Sequence, residues 1–226
     1  MTISVIIPAL NEAPRIAGTI HATADQAFAE ILVIDGGSTD RTVTEAGRTG
    51  LARILASPPG RGIQMNKGAR AAKGEVLLFL HADTRLPDGA KARIETALQD
   101  PLVLGGRFDV QFDSPSRWSR VIAAFMNSRS RLTRIATGDQ ALFVRRTVFE
   151  QLGGYPEIPL MEDVEFSARL KRAGATVSLR DRVTTSFRRW EQRGPLRTIL
   201  LMWGLRLGYW SGIAPTRLSR WYAAVR

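Results

Sequence analysis

Several absences bound this chain of 226 residues before any motif is read. It contains no cysteine, which excludes disulfides and thiolate metal sites and fits a reducing compartment. Only two histidines are present, His21 and His81, so a histidine-built zinc centre is not expected. The amino terminus, MTISVIIPAL, enters a strand-like run at once, without the basic region, apolar segment and cleavage site of a signal peptide, and a cytoplasmic location is expected. No apolar run reaches the about 20 residues that a spanning helix needs, since the stretch from Ile199 to Ala214 is short and broken by Arg206. Acidic residues are scarce in one half only. Residues 1–100 carry 11 Lys+Arg against 11 Asp+Glu, whereas residues 101–226 carry 21 against 10, so the whole net charge of +11 is carboxy-terminal. Such asymmetry calls for an anionic partner: a phosphorylated small molecule, an acidic membrane surface or nucleic acid.

What is present begins with a rhythm. Apolar runs (ISVIIPA, EILVIDG, RILAS, EVLLFLHAD and, less cleanly, VLGGRFDVQF) alternate with stretches of helical spacing at residues 12–27, 39–50 and 88–99. That alternation predicts an α/β fold with a mainly parallel sheet flanked by helices. A 44% hydrophobic composition supplies a core for one domain, expected over residues 1–195, with a nucleotide-binding half at 1–113 and an acceptor half at 114–195. Residues 196–226 form a basic, aromatic segment expected to be helical in two pieces broken at Pro215.

In open α/β sheets ligands bind at the carboxyl ends of the strands, and this chain places polar groups there repeatedly. The first strand ends in PALNE, Pro8 to Glu12, where a dinucleotide site would show a glycine fingerprint. Asn11 and Glu12 are suited to a base or ribose, or else Asn11 caps the following helix and Glu12 favours its dipole. The second ends in VIDGGSTD, with Asp35 24 residues after Asn11, near the spacing at which such folds set an acid on ribose hydroxyls. The alternative is an Asp-Gly turn followed by a cap from Ser38 or Thr39. GRGIQMNKGARAAKGE, residues 60–75, offers Arg61, Asn66 and Arg70 for phosphate and base contacts, or forms a solvated basic helix. The buried run Val76 to Leu80 ends on His81 and Asp83, which strand alternation would set on one side.

Taken in order, PALNE, DGGSTD, GRGIQMNKG, FLHADT and MEDVEF resemble the inverting family 2 glycosyltransferases of the GT-A fold over roughly residues 3–195. The resemblance implies a nucleotide diphospho-sugar donor, a hydroxyl acceptor and a divalent cofactor, Mg²⁺ or Mn²⁺. It makes Asp83 the metal-binding acid of a D-x-D-like motif, in which His81 replaces the usual first acid and is either a second ligand or a histidine bonded to a neighbour. Gly36 stands where many members have an acid that helps to bind the base. Asp163 matches the general base and Glu162 positions it or the sugar. Asp139 and Gln140 in TGDQALF match places that contact donor sugar or acceptor, or else form a turn. In SFRRWEQRG, Arg189 suits a leaving diphosphate and Trp190 offers a face to a sugar or a lid, in a loose resemblance to the arginine-tryptophan motif of processive members, or the stretch is a basic surface loop.

Two other classes remain open on the sequence. A sugar-nucleotide pyrophosphorylase would carry a basic, glycine-rich loop after the first strand, where PALNE stands. A nucleic-acid-binding module would explain the charge but not acids at three successive strand ends, and no nucleic-acid partner is expected. The carboxy-terminal segment is expected either to lie on an acidic bilayer or to pack against a second subunit.

Overall fold

Side-chain parity along the first strand sorts the core into two layers. In the computed structural model, which describes residues 1–224, strand β1 (Ile3–Ala9) sends Ile3, Val5 and Ile7 to one face and Ile6 to the other. The neighbouring strands β2 (Glu30–Asp35) and β4 (Val76–Phe79) divide in the same way: Ile31, Val33, Val76 and Leu78 against Leu32, Ile34, Leu77 and Phe79. Strands buried on both faces must be apolar at every position, so these runs are continuous rather than alternating.

Helix α1 (Ala13–Ala24) covers the first face with Ile16 and Ile20, and α4 (Ala90–Ala97) adds Ile94. The second face is covered by α3 (Arg61–Ala71) through Met65 and Ala69, and by α7 (Glu162–Ala173) through Phe166 and Leu170. Helix α2 (Thr42–Arg48) and strand β3 (Arg53–Ala56) complete the first half, whose strands run parallel in the order β3-β2-β1-β4.

Beyond β4 the alternation ends and the sheet becomes mixed. Strand β5 (Thr84–Arg85), β6 (Val103–Phe112), β7 (Phe143–Arg145) and β8 (Ala175–Thr185) extend it to eight strands, ordered β3-β2-β1-β4-β7-β6-β8-β5. Strand β7 is antiparallel to both β4 and β6, so one sheet runs through both halves of the chain. Helix α5 (Arg117–Thr133) and α6 (Arg146–Gln151) flank β7 in sequence. After β8 come α8 (Arg188–Arg193), α9 (Pro195–Trp210) and α10 (Pro215–Ala224). Pro215 opens α10 rather than merely ending α9, as suits a residue with no amide hydrogen to satisfy. A third apolar cluster joins Leu205 and Leu218 of these helices to Met161 and Val164 at the start of α7.

Candidate active site

The carboxyl ends of β1 and β4 meet the start of α7 in one cleft, lined by Pro8, Arg61, His81, Gly138, Tyr155 and Asp163 among others. Asp163 is half-buried and held through both carboxylate oxygens. Its Oδ1 accepts the Val164 amide at 2.7 Å and its Oδ2 accepts the Gly138 amide at 2.8 Å. Met161, immediately before α7, has φ of 72°, a left-handed conformation unusual for a side chain of its size. That turn aims Glu162 and Asp163 toward the cleft, and the cost is borne by the packing of Met161 in the third cluster. Glu162, buried beside Asp163, pairs with Arg61 of α3 at 3.3 Å. Burial pushes the Glu162 carboxyl above its ordinary value; Arg61 opposes that shift and the Asp163 charge adds to it.

Gly138 opens a short 3₁₀ turn, Gly138–Gln140, and touches both sides of the cleft. A Cβ at Gly138 would lie 2.3 Å from Nε2 of His81, so only glycine allows this approach. His81 Nδ1 faces Asp139 Oδ1 at 3.1 Å, and its Nε2 is buried without a hydrogen-bond partner. Partial burial would raise the Asp139 carboxyl, but the His81 hydrogen bond and charge, with Arg189 and Arg61, outweigh it and hold it below the usual carboxylate range. Of the two readings of His81, metal ligand or histidine bonded to a neighbour, this geometry matches the second, since one ring nitrogen serves Asp139 and the other lies against Gly138. Strand β4 also stops at Phe79, and the His81 carbonyl closes a turn by accepting the Thr84 amide. Strand alternation therefore does not reach His81 and Asp83.

Asp83 lies close enough to Glu12 for its charge to act there. The Glu12 carboxyl is raised by burial and next by the Asp83 charge, with Arg188 of α8 acting the other way through a contact of 3.2 Å to Oε1. Oε2 of Glu12 is buried and unpartnered. Asp35 shows a similar division: Oδ2 accepts the Gly37 and Ser38 amides, both at 3.0 Å, while Oδ1 is buried without a partner. One oxygen of Asp35 makes the turn and the other is left for a donor outside the chain. The unpartnered oxygens of Glu12 and Asp35 can accept from ligand donors, and the Asp83 charge near Glu12 suits a hard cation held by oxygen. Among the described residues no group of three or more His, Asp or Glu could hold a metal by itself, so ligand oxygens would have to complete the shell.

Several residues turn out to build the site rather than to face it. Asn11 does not cap α1. It sits at φ of 56°, which asparagine tolerates, and its Oδ1 accepts the Thr39 amide at 2.9 Å while its own amide donates to Ser38 Oγ. Ser38 and Thr39 likewise do not cap α2; they clamp the β2 turn to the β1 turn. Asn66 is buried, with Nδ2 donating to the Tyr155 carbonyl and Oδ1 accepting the Tyr155 amide, both at 2.8 Å. No polar atom of Asn66 is left for a nucleotide, so that expectation is corrected. Arg70 is corrected too: it is exposed in the last turn of α3, about 13 Å along the helix axis from Arg61. The chain that follows bonds to Ser4 and Glu30, at the opposite end of the sheet. Gln140 is fully buried and caps its own turn through Thr137, leaving Nε2 unpartnered.

Arg189 is exposed and lies over the Tyr222 ring at 5.7 Å, while Trp190 stacks on Phe187 with centroids 6.2 Å apart. The motif reading missed Gln64, whose Nε2 donates to the carbonyls of Ala9 and Ile34 at 2.9 and 2.8 Å. It also explains Gly36, since a Cβ there would come within 2.9 Å of the Gln64 amide. Gly138 was missed because a close approach between distant segments leaves no periodic trace.

Comparison with known proteins bears on this arrangement. The family model described as Glycosyl transferase family 2 matches residues 4–153. A PGL/p-HBAD biosynthesis glycosyltransferase of Mycobacterium bovis is 32% identical over 181 residues, covering 74% of this chain and 68% of the relative. Glycosyltransferase AglJ of Haloferax volcanii is 32% identical over 127 residues, but that alignment spans only 41% of the relative's length and 53% of this chain. Among solved structures, a mannosyltransferase from Pyrobaculum calidifontis in complex with GDP-Man and Mn²⁺ superposes with a TM-score of 0.67 at 24% identity, over 80% of this chain and 56% of that one. Glucosyl-3-phosphoglycerate synthase of Mycobacterium tuberculosis, in complex with Mn²⁺, UDP and glucosyl-3-phosphoglycerate, gives 0.58 at 20% identity, over 80% and 70%. The fold is that of GT-A glycosyltransferase structures, and with most of the chain from β1 to α6 matched, the protein belongs to glycosyl transferase family 2.

Proposed function

We propose that the chain transfers a sugar from a nucleotide diphospho-sugar to an acceptor hydroxyl with inversion at the anomeric carbon. The observation that carries this reading is the placement of Asp163. Its carboxylate borders the cleft at the strand ends, oriented by two backbone amides that each leave a lone pair free. A general base must reach the proton it removes and keep its orientation as it does so. Asp163 takes the hydroxyl proton on Oδ1 or Oδ2 as the acceptor oxygen attacks, and the nucleoside diphosphate leaves on the opposite side.

The donor lies across β1, β2 and β4. The unpartnered oxygens of Glu12 and Asp35 accept from its base or ribose, with Pro8 as a wall. Asp83 would hold Mg²⁺ or Mn²⁺, which when bound offsets the charge growing on the departing diphosphate. The structural neighbours' Mn²⁺ complexes support that part of the reading. Arg61 and Arg189 bring positive charge to the same cleft, and Asp139, oriented by His81, is placed for a sugar hydroxyl. Much of the gain comes from holding two reactants in line.

Asp163→Asn tests the assignment, since an amide cannot accept the proton but fills the same space. Donor affinity by calorimetry is expected to persist while transfer falls by about 10²-fold or more. Near-normal turnover by that variant would move the base elsewhere. A cytoplasmic location belongs to the proposal, and no described helix is long and apolar enough to cross a membrane.

A further inference from the structure

Three helices outside the donor cleft share an unusual composition. Helices α5, α9 and α10 contain eight arginines (Arg117, Arg120, Arg129, Arg131, Arg197, Arg206, Arg217 and Arg220) and no Asp or Glu. Two of them also expose apolar stripes. On α9 the exposed large residues are Leu196, Leu200, Trp203, Leu207 and Trp210, spaced four, three, four and three apart, and Leu200 and Trp210 are each more than two-thirds exposed. That spacing keeps them on one side of a helix. The opposite side, with Thr198, Leu205 and Gly208, is buried against the body of the protein. On α5 Trp118, Val121 and Phe125 form the matching stripe, and the Phe125 and Trp203 rings meet at 5.6 Å, so the two stripes are continuous.

A surface of this kind is too apolar for water alone, and patches of such extent mark an interaction site. Its charge decides the occupant. A twofold contact with a second copy would set acid-free, arginine-bearing helices against themselves, and like charges facing each other oppose association. An anionic bilayer answers both properties: tryptophan and leucine enter the interface while arginines remain at headgroup level. Neither helix can cross, because each keeps one face packed on the protein.

Arg129 and Arg206 turn inward and Arg131 pairs with the buried Asp109. We propose that the stripes of α5 and α9, framed by the exposed Arg117, Arg120, Arg197, Arg217 and Arg220, dock this protein on an anionic membrane surface. Leu205 and Leu218 pack with Met161 and Val164, the residues on either side of Glu162 and Asp163. Docking therefore fixes the start of α7 relative to the bilayer, and the cleft opens beside it. The inference rests on surface chemistry and is independent of the transfer reading.

Co-sedimentation with vesicles of phosphatidylcholine, with and without phosphatidylglycerol, tests it. The protein is expected in the pellet with phosphatidylglycerol at low salt, with binding at least about tenfold weaker in high salt or on phosphatidylcholine alone. The double variant Leu200→Asp/Leu207→Asp, at two exposed positions, should abolish sedimentation with no change in melting temperature or nucleotide affinity. In the unmodified protein, brominated lipid should quench tryptophan fluorescence. Recovery in the supernatant at low salt overturns the proposal. So does a dimer in sedimentation velocity that the same double variant dissociates, which would make a second copy the occupant.

Discussion

The amide of Gly138 donates to Oδ2 of Asp163 at 2.8 Å, while the open side of the same glycine lies against the His81 ring. One residue thus ties the turn after β4, which carries Asp83, to the carboxylate assigned to acceptor activation. Gly138→Ala should push the two apart, because the added methyl would sit 2.3 Å from Nε2 of His81. Overpacking of this kind costs about 1 to 3 kcal/mol. Transfer should fall by more than donor affinity, and His81→Ala in the same chain should restore part of it. A double-mutant cycle that shows no coupling would mean that the contact is incidental.

Asn66 and Arg70 separate a structural role from a binding one. Asn66→Ala removes both hydrogen bonds that hold the Tyr155 backbone and leaves buried groups unpaired, a loss of about 2 to 4 kcal/mol in denaturant unfolding. Arg70→Ala should change neither stability nor nucleotide affinity measurably. A large affinity loss for Arg70→Ala at unchanged stability would contradict its position at the far end of α3.

The Glu162 carboxyl titrates above its ordinary 4.5, chiefly through burial. Its contribution to stability is therefore fully present below that value and is lost as pH rises through the folded-state pKa. Glu162→Gln removes this dependence. The variant and the parent should melt together near pH 4, and the variant should be the more stable by pH 8, since the half-exposed Arg61 can return to water. A difference that shrinks as pH rises would show that the Arg61 pairing outweighs burial.

Asp83→Asn should weaken nucleotide binding in the presence of Mn²⁺ and leave binding without metal nearly unchanged, as titration calorimetry can read. Neutralising Asp83 also removes one of the charges that raise the Glu12 carboxyl. The assignment of Asp83 is falsified if Mn²⁺-linked affinity survives the substitution.

The strands were legible because burial on both faces demands uninterrupted apolar runs, and ISVIIPA, EILVID and EVLLF are such runs. Helices α1, α5, α7 and the break before Pro215 were legible for the same local reason, as periodicity and proline chemistry act within a few residues. The antiparallel placement of β7 between β4 and β6 was not, because three residues, Phe143 to Arg145, carry no mark of their partner or direction. Motif order alone led to PALNE, Asp35, Asp83 and Asp163, since strand ends are where an α/β sheet offers its groups. What each side chain does there was decided in three dimensions. Asn66 was given to Tyr155 and His81 to Asp139 by contacts between residues 58 and 89 positions apart, and Gly36 was required by the Gln64 amide. A hydrogen bond satisfied within the fold withdraws a polar group from the ligand, and no local pattern records which partner lies across the turn.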